Sequence, residues 1–374
     1  MPPLARRNLM HDKVRLAVTL TGIVFAVVLI VVELGLFVGF TVTTSSIIDN
    51  SKVDLWIVSH DTPYIEQGAP FSERKLYQVL ATPGVAVAEK YSVRFTQWQT
   101  PSGAQESTQV VGFNPYTGVG GPWNLVEGNV ENLKTPDAII LDELYKKKLG
   151  VTKVGETFEL NGRRARVVGF TRGIRAFTTT PYVFTSFKNA QAFSNLQQDQ
   201  TMFILVKAAP GVSVPELQHE LQSRLRDVDV LTTAKFSSMT RIYWMFTTGA
   251  GVAVLIAALL GLVVGVVVVA QTIYATTMDH IREYGTLKAM GAPNGFVYRV
   301  IITQAGISAV AGYFLAMIVS VFTVRASERG GAAILLPWQM AVGIFFLTLL
   351  MCISAAVVSI NKVTSLDPAM VFRG

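Results

Sequence analysis

The run LAVTLTGIVFAVVLIVVELGLFVGF, residues 16–40, decides the fold class. It carries a single ionisable side chain, Glu33. At about 1.5 Å of rise per residue it is long enough to cross a bilayer as one helix. It is too long for the apolar core of a signal peptide, and the residues after it, Thr41-Val-Thr-Thr-Ser-Ser46, hold no small-residue cleavage pattern. Arg6, Arg7, Lys13 and Arg15 precede it, which places the N-terminus in the cytoplasm.

Three more apolar runs follow, at 244–274, 296–324 and 337–360. The chain is 15% charged against about a quarter for a soluble domain, and the deficit is confined to these windows. Residues 42–243 are ordinary in composition, with 21 Lys+Arg and 19 Asp+Glu. The fold class follows: four transmembrane helices arranged one plus three, with a large mixed α/β extracytoplasmic domain between the first and second. The expected order is a cytoplasmic N-terminus at 1–15, a span at 16–41, the domain at 42–243 and a span at 244–274. A cytoplasmic connector at 275–295, a span at 296–324, an external loop at 325–336, a span at 337–360 and a cytoplasmic tail at 361–374 complete it. Arg282, Lys288, Lys362 and Arg373 fall inside and support this topology, while Arg325 and Arg329 fall outside against it.

The net charge of +7 is nearly absent from the domain, so the excess lies in short segments beside the spans. That distribution speaks for the lipid bilayer and against a nucleic-acid partner. The single cysteine, Cys352, lies in the fourth apolar run and leaves the domain without a disulfide.

Within the domain, Lys52–Val58 alternates and is rich in β-formers, which predicts a strand. Ser72 is the expected cap of a helix ending at Pro83-Gly84. Asp142 to Gly150 reads as a short helix with an acidic start and a glycine stop. Residues 157–160 and 163–170 around Asn161-Gly162 read as a hairpin. Leu217, Leu221 and Leu225 mark one face of an amphipathic helix over 214–227.

No phosphate-binding Gly-x-x-x-x-Gly-Lys-Ser/Thr is present, nor Gly-x-Ser-x-Gly, His-Glu-x-x-His or Cys-x-x-Cys. His11, His60, His219 and His280 are scattered, so no metal site is expected. The chain reads as a non-catalytic membrane subunit with no cofactor of its own.

Residues 279–293, Asp-His-Ile-Arg-Glu-Tyr-Gly-Thr-Leu-Lys-Ala-Met-Gly-Ala-Pro, interrupt two apolar runs with a charged helix. Ile281, Tyr284, Leu287 and Met290 recur every three residues as an apolar stripe. Asp279, Arg282, Glu283 and Lys288 lie off it. Gly291 and Pro293 stop the helix. An amphipathic connector resting on lipid and a docking element for a cytoplasmic partner both fit this pattern.

The stretch Arg282-Glu-Tyr-Gly-Thr-Leu-Lys-Ala-Met-Gly-Ala292 resembles the Arg-Glu-Ile-Gly-x-x-Lys-Ala-hydrophobic-Gly-Ala signature of FtsX/MacB-type ABC transporter permeases. Leu366-Asp-Pro-Ala369 in the tail is similar to that family's ending. Residues 53–58 and 138–150 resemble landmarks of its extracytoplasmic domain, and residues 4–9 and 13–23 resemble its DevC branch. The resemblance implies a homodimer working with two copies of a separate cytoplasmic ATPase, which holds the ATP and Mg. It implies that Asp279, Arg282, Glu283, Tyr284, Gly285, Leu287, Lys288, Met290, Gly291 and Ala292 couple to that ATPase. Tyr284 stands where an aliphatic residue is usual. The implied function is export by mechanotransmission from a bacterial inner membrane, with an amphipathic or hydrophobic substrate. A periplasmic adaptor and an outer-membrane channel are the implied partners. The alternatives are an FtsX-like regulator of a cell-wall hydrolase, or a permease for lipoprotein release or haem export.

Glu33 lies about 10 Å below the outer end of its span at helical rise, and a carboxylate there costs a few kcal/mol on insertion scales. It is either accommodated toward the interface or acts as an intramembrane ligand or dimer-seam residue. Gly35 with Gly39, and Gly261 with Gly265, permit close helix packing. The expectation is that the first pair lies near the outer surface and the second nearer the inner one, each with its own partner. Phe95, Trp98, Trp123 and the Arg163-Arg164 pair are aromatic and basic groups of the domain with no assigned role.

Overall fold

The computed structural model describes residues 13–279, 281, 285–286, 290, 292–329 and 333–364. Ten α-helices are seen among them. They are α1 (Lys13–Thr44), α2 (Ser46–Asp49), α3 (Arg74–Leu80), α4 (Lys146–Leu149) and α5 (Phe187–Ser194), then α6 (Val214–Arg224), α7 (Thr233–Ile242), α8 (Ala250–Asp279), α9 (Asn294–Arg329) and α10 (Trp338–Thr364). The strands are β1 (Leu55–Ser59), β2 (Phe71–Ser72), β3 (Val85–Gln99), β4 (Gln105–Phe113), β5 (Leu125–Gly128) and β6 (Ala138–Asp142). They continue with β7 (Thr157–Leu160), β8 (Arg163–Thr171), β9 (Tyr182–Ser186), β10 (Gln200–Thr201), β11 (Phe203–Ala208) and β12 (Val228–Thr232). The chain divides into two units, one of residues 1–38, 253–328 and 334–374, the other of residues 39–252 and 329–333.

The second unit is built on a ten-stranded mixed sheet in the order β12-β1-β11-β3-β4-β9-β6-β8-β5, with β7 joining β3 and β8. The fifteen-residue β3 spans two halves of this sheet: its start pairs with β11 and its end with β4 and β7. β1 is buried at every position. Leu55 and Ile57 pack with Leu217 and Leu221 of α6, and Trp56 and Val58 pack on the other face with Tyr91, Phe203 and Phe236. The alternation expected over 52–58 therefore does not separate core from solvent, because helices cover one face and aromatic side chains the other. Lys52 takes a left-handed conformation, and the strand begins only at Leu55.

Several local signals act as their chemistry dictates. The Asp142 carboxylate accepts from the Leu144 N–H at 3.1 Å, and Gly150 closes α4 at φ 71°. Asn161 and Gly162 both have positive φ and turn β7 into β8. Ser72 differs: it is paired in the short β2–β10 ribbon, and Glu73 takes the cap position of α3. Leu217 and Leu221 face the core, and α6 ends at Arg224 because Leu225 is already extended.

In the first unit, helices long and apolar enough to cross a membrane cover Leu16–Thr44, Ala250–Asp279, Asn294–Ser327 and Trp338–Ser359. Two bounds are corrected. The second span starts at Ala250 rather than Trp244, because Tyr243–Thr247 form a π-helical turn and Gly249 has φ 74°. The third helix continues to Arg329, through half of the stretch expected as an external loop.

The two glycine pairs meet different partners. A side chain at Gly261 would meet Glu33 Cγ at 2.7 Å, and one at Gly265 would meet Ile30 Cδ1 at 2.8 Å. Gly261 thus lies level with Glu33 and Gly265 with Ile30, both on the N-terminal side of Gly35 and Gly39 along α1, so the two pairs differ in depth and in partner as expected. Gly35 and Gly39 serve the segment before α10 instead. The Leu335 N–H donates to the Gly35 carbonyl at 3.1 Å, and a Cβ at Gly39 would lie 1.6 Å from the Ala333 carbonyl oxygen. Gly39→Ala must therefore displace that segment, at a cost of about 1–3 kcal/mol. Thermal melts of the purified chain are expected to show that loss for Gly39→Ala and none for Gly306→Ala, where a Cβ meets open space.

Candidate functional site

α8 runs unbroken from Ala250 to Asp279, where the stretch expected to couple to an ATPase begins. Its interior lacks proline, and Thr272, Thr276 and Thr277 bond back to carbonyls four residues earlier. The Thr19 and Thr276 hydroxyls also meet at 2.8 Å, tying α1 to α8. Beyond Asp279, Ile281, Gly285 and Thr286 are helical. Ile281 is half-buried against the core of the helical unit. The Met290 N–H donates to the Thr286 carbonyl at 3.0 Å, after which Ala292 and Pro293 precede α9.

The expected apolar stripe is only partly realised. Met290 is 71% exposed at the turn, whereas Ile281 is packed. A spacing of three drifts against the 3.6-residue helical period, so position 290, nine residues on, falls on the opposite face from position 281. Arg282, Glu283, Tyr284, Leu287, Lys288 and Gly291 lie outside the described residues, as do the tail residues Leu366, Asp367, Pro368 and Ala369, and His11 and His280.

Glu33 is half-buried on α1, its side chain against Gly261 of α8 in the same chain. Absence of a Cβ at Gly261 makes room for it. The contact is internal to one chain. Among the described residues, no group of three or more His, Cys, Asp or Glu side chains gathers as a metal site.

Within the second unit, the two segments by which the chain enters and leaves the domain are held together. Arg241, on the last turn of α7, donates to Asp49 Oδ2 at 2.6 Å and to Ser45 Oγ at 2.7 Å. Ser45 and Asp49 belong to the α1–α2 connection, and Ser45 also donates to Asp49 at 2.8 Å. Beside this clasp, Phe177 packs edge-on against Phe40 at 5.1 Å and against Trp244 at 4.4 Å. Tyr64 stacks on Tyr243 with centroids 4.0 Å apart. The π-helical turn supplies Tyr243 and Trp244 and so belongs to this aromatic junction.

Glu66 sits in the junction. Its Oε2 is shielded from solvent with no hydrogen-bond partner among the described residues. Burial pushes its carboxyl up to about 7, with the nearby Trp244 indole offsetting part of the rise without reaching hydrogen-bond geometry. Neither the clasp nor Glu66 stood out in sequence. Tyr243-Trp244 was absorbed into an apolar window, although Thr247-Thr248-Gly249 marks a break after it.

Of the other domain groups, Trp98 is fully buried with its Nε1–H donating to the Leu149 carbonyl at 3.0 Å. Trp123 packs on Phe184, Phe95 is half exposed, and Arg164 pairs with Asp137 at 2.9 Å. These are structural duties. His60 pairs with Asp229 at 2.9 Å, which raises its pKa above the usual value.

A family profile described as MacB-like periplasmic core domain matches residues 16–224, and one described as FtsX-like permease C-terminal matches residues 255–368. An uncharacterized ABC transporter permease of Mycobacterium tuberculosis is 26% identical over 380 residues, covering 99% of both chains. A second from that organism is 23% identical over 379 residues, again covering 99% of both. Among solved structures, the periplasmic region of MacB from Actinobacillus actinomycetemcomitans aligns with 52% of this chain and 96% of its own, at TM-score 0.38 and 13% identity.

Proposed function

From the premise that this chain belongs to the MacB- and FtsX-like ABC transporter permeases, a family of multi-pass membrane proteins, we propose that it is the permease of an ATP-driven exporter. Two copies pair in the cytoplasmic membrane, both termini inside, with two copies of a separate ATPase that binds ATP and Mg. Closure of the ATPases on residues 279–292 moves α8, and the movement reaches the extracytoplasmic domain through the junction at 241–249. The substrate is an amphipathic or hydrophobic compound handled on the outer side, passed to a periplasmic adaptor and an outer-membrane channel.

The observation that supports this reading is α8, thirty residues without a break, which ends at Asp279 where the coupling segment begins. A helix transmits axial and rotational displacement because its backbone bonds close every turn. Within the segment, Ile281, Gly285 and Thr286 are helical.

Purified alone, the chain is expected to show no ATP turnover. Affinity capture from membranes is expected to bring down one ABC ATPase and one periplasmic adaptor. Robust turnover without a second protein would overturn the two-subunit reading, and capture of a cell-wall hydrolase in place of an adaptor would overturn export.

A further inference from the structure

The domain contains a cavity of about 900 Å³ where the two halves of its sheet meet. That volume is in the range of small-molecule sites. Its wall comes from distant stretches of chain: Glu89 and Lys90 of β3, the 113–116 loop after β4, Arg163 of β8, and α5 with the loop behind it.

The wall is held in place by its own polar contacts. Asn114 donates from Nδ2 to Glu89 at 2.9 Å and accepts the Tyr116 N–H at 3.0 Å. Lys90 is neutralised by Glu73 at 2.6 Å and lies over the Phe187 ring. Gln191 Nε2 donates to the carbonyls of Gln197, Gln198 and Gln200, fixing the loop after α5. Asn161 donates to the Phe193 carbonyl at 2.6 Å, which brings the β7–β8 turn and Arg163 to α5.

Two cations are left over. Arg163 and Lys188 are exposed, line the cavity, and have no ion pair among the described residues. Glu89, the one carboxylate among the lining residues, accepts from the Asn114 amide and keeps its charge, against the three lining cations Lys90, Arg163 and Lys188. Gln197 and Gln198 present exposed amides, and Tyr116 stands 77% exposed at the rim with Lys134 over its ring. Two unpaired cations select an anion, amides match hydroxyl groups, and an exposed aromatic ring packs on an apolar ring face.

We propose that this cavity binds a small anionic saccharide, a sugar bearing phosphate or carboxylate, free or as a lipid headgroup. Arg163 and Lys188 hold the charged group, the amides of 197–198 meet hydroxyls, and Tyr116 packs on the ring. This site is independent of the export reading, since binding requires no ATPase.

The test uses the full chain in nanodiscs of zwitterionic lipid, with calorimetric and ligand-detected NMR titrations. Glucose 6-phosphate and glucuronate are expected to bind about tenfold or more tighter than glucose. The double variant Arg163→Gln, Lys188→Gln, on exposed side chains, is expected to fold as the wild type and lose that preference. Arg164→Gln, whose side chain pairs with Asp137, is expected to retain it. Repeating the titration in phosphatidylglycerol discs assigns the source: weakened sugar binding supports a lipid headgroup, and unchanged binding supports a soluble sugar. Equal affinity for glucose, unchanged preference in the double variant, or displacement of the sugars by an acidic tetrapeptide would overturn the proposal.

Discussion

Gly285→Pro in the assembled complex is expected to abolish substrate-stimulated ATP turnover and export while leaving the extracytoplasmic domain folded. Gly285 is helical and half-buried beyond the end of α8. Proline there removes a backbone donor and drives its ring into the carbonyl of the residue four before, Ile281, at a cost of about 3 kcal/mol in a helix interior. The helix must kink or stop at that point. Displacement applied beyond it then bends the chain and no longer moves α8. A coupling step that depends on that displacement then fails, and the stimulated rate is expected to fall to the basal rate. Basal turnover of the ATPase itself is expected to persist. Gly285→Ala, which keeps the helix and improves its propensity, is the control and should couple. Stimulated turnover and transport in liposomes report the outcome; normal coupling by the proline variant would remove the segment from the mechanism.

Glu66→Gln is expected to stabilise the domain at alkaline pH and to flatten its pH dependence. The sign follows from linkage. Glu66 has an ordinary value of 4.5 and is raised to about 7 in the fold, so the folded state holds a proton that the unfolded chain has released. Below the ordinary value both states are protonated and the residue contributes no penalty. The penalty grows as pH rises through that window and is constant above about 7, where the carboxylate is ionised in both states. Its full size is about 3 kcal/mol for a rise from 4.5 to about 7. Glutamine keeps the shape and loses the charge. Thermal melts are expected to coincide for the two proteins near pH 4.5 and to separate by several degrees near pH 8, the variant being the more stable. His60, raised by Asp229, also favours the acid side, but it is common to both proteins and cancels in the difference. Identical pH profiles would place the Glu66 carboxylate in water.

Which parts of this were legible in the sequence has physical reasons. Long apolar windows reveal spans because the bilayer demands length and low charge together, and four helices meet that demand. Asp142, Gly150 and Asn161-Gly162 were readable because caps and tight turns depend on neighbouring residues alone. Trp244 was misplaced because an aromatic junction and a membrane span share a hydropathy. Only the backbone break at Gly249 separates them. Ser72 was readable only in part: its Oγ accepts the Arg74 N–H at 3.4 Å in the first turn of α3, but its backbone is drawn into β2, a pairing with residues more than a hundred positions away. Glu33 was visible as an anomaly, but its neighbour Gly261 could not be deduced without the true start of α8. The clasp of Arg241 with Asp49 and Ser45, and the cavity beside Arg163 and Lys188, assemble from segments far apart in the chain. No local pattern announces such sites.

In the proposed mechanism an ATPase on 279–292 moves α8, and the substrate is handled at the far end of that path. A distance measurement across the pair tests the path itself. Ser102, exposed at the tip between β3 and β4, takes a spin label after Ser102→Cys, and Cys352 is buried. Pulsed electron resonance on the dimeric complex then reads the separation of the two domains without nucleotide and with ATP trapped on a hydrolysis-deficient ATPase. The account predicts a changed distance distribution on ATP binding that Gly285→Pro abolishes. An identical distribution in both states, in a complex that binds ATP and exports substrate before labelling, would contradict it.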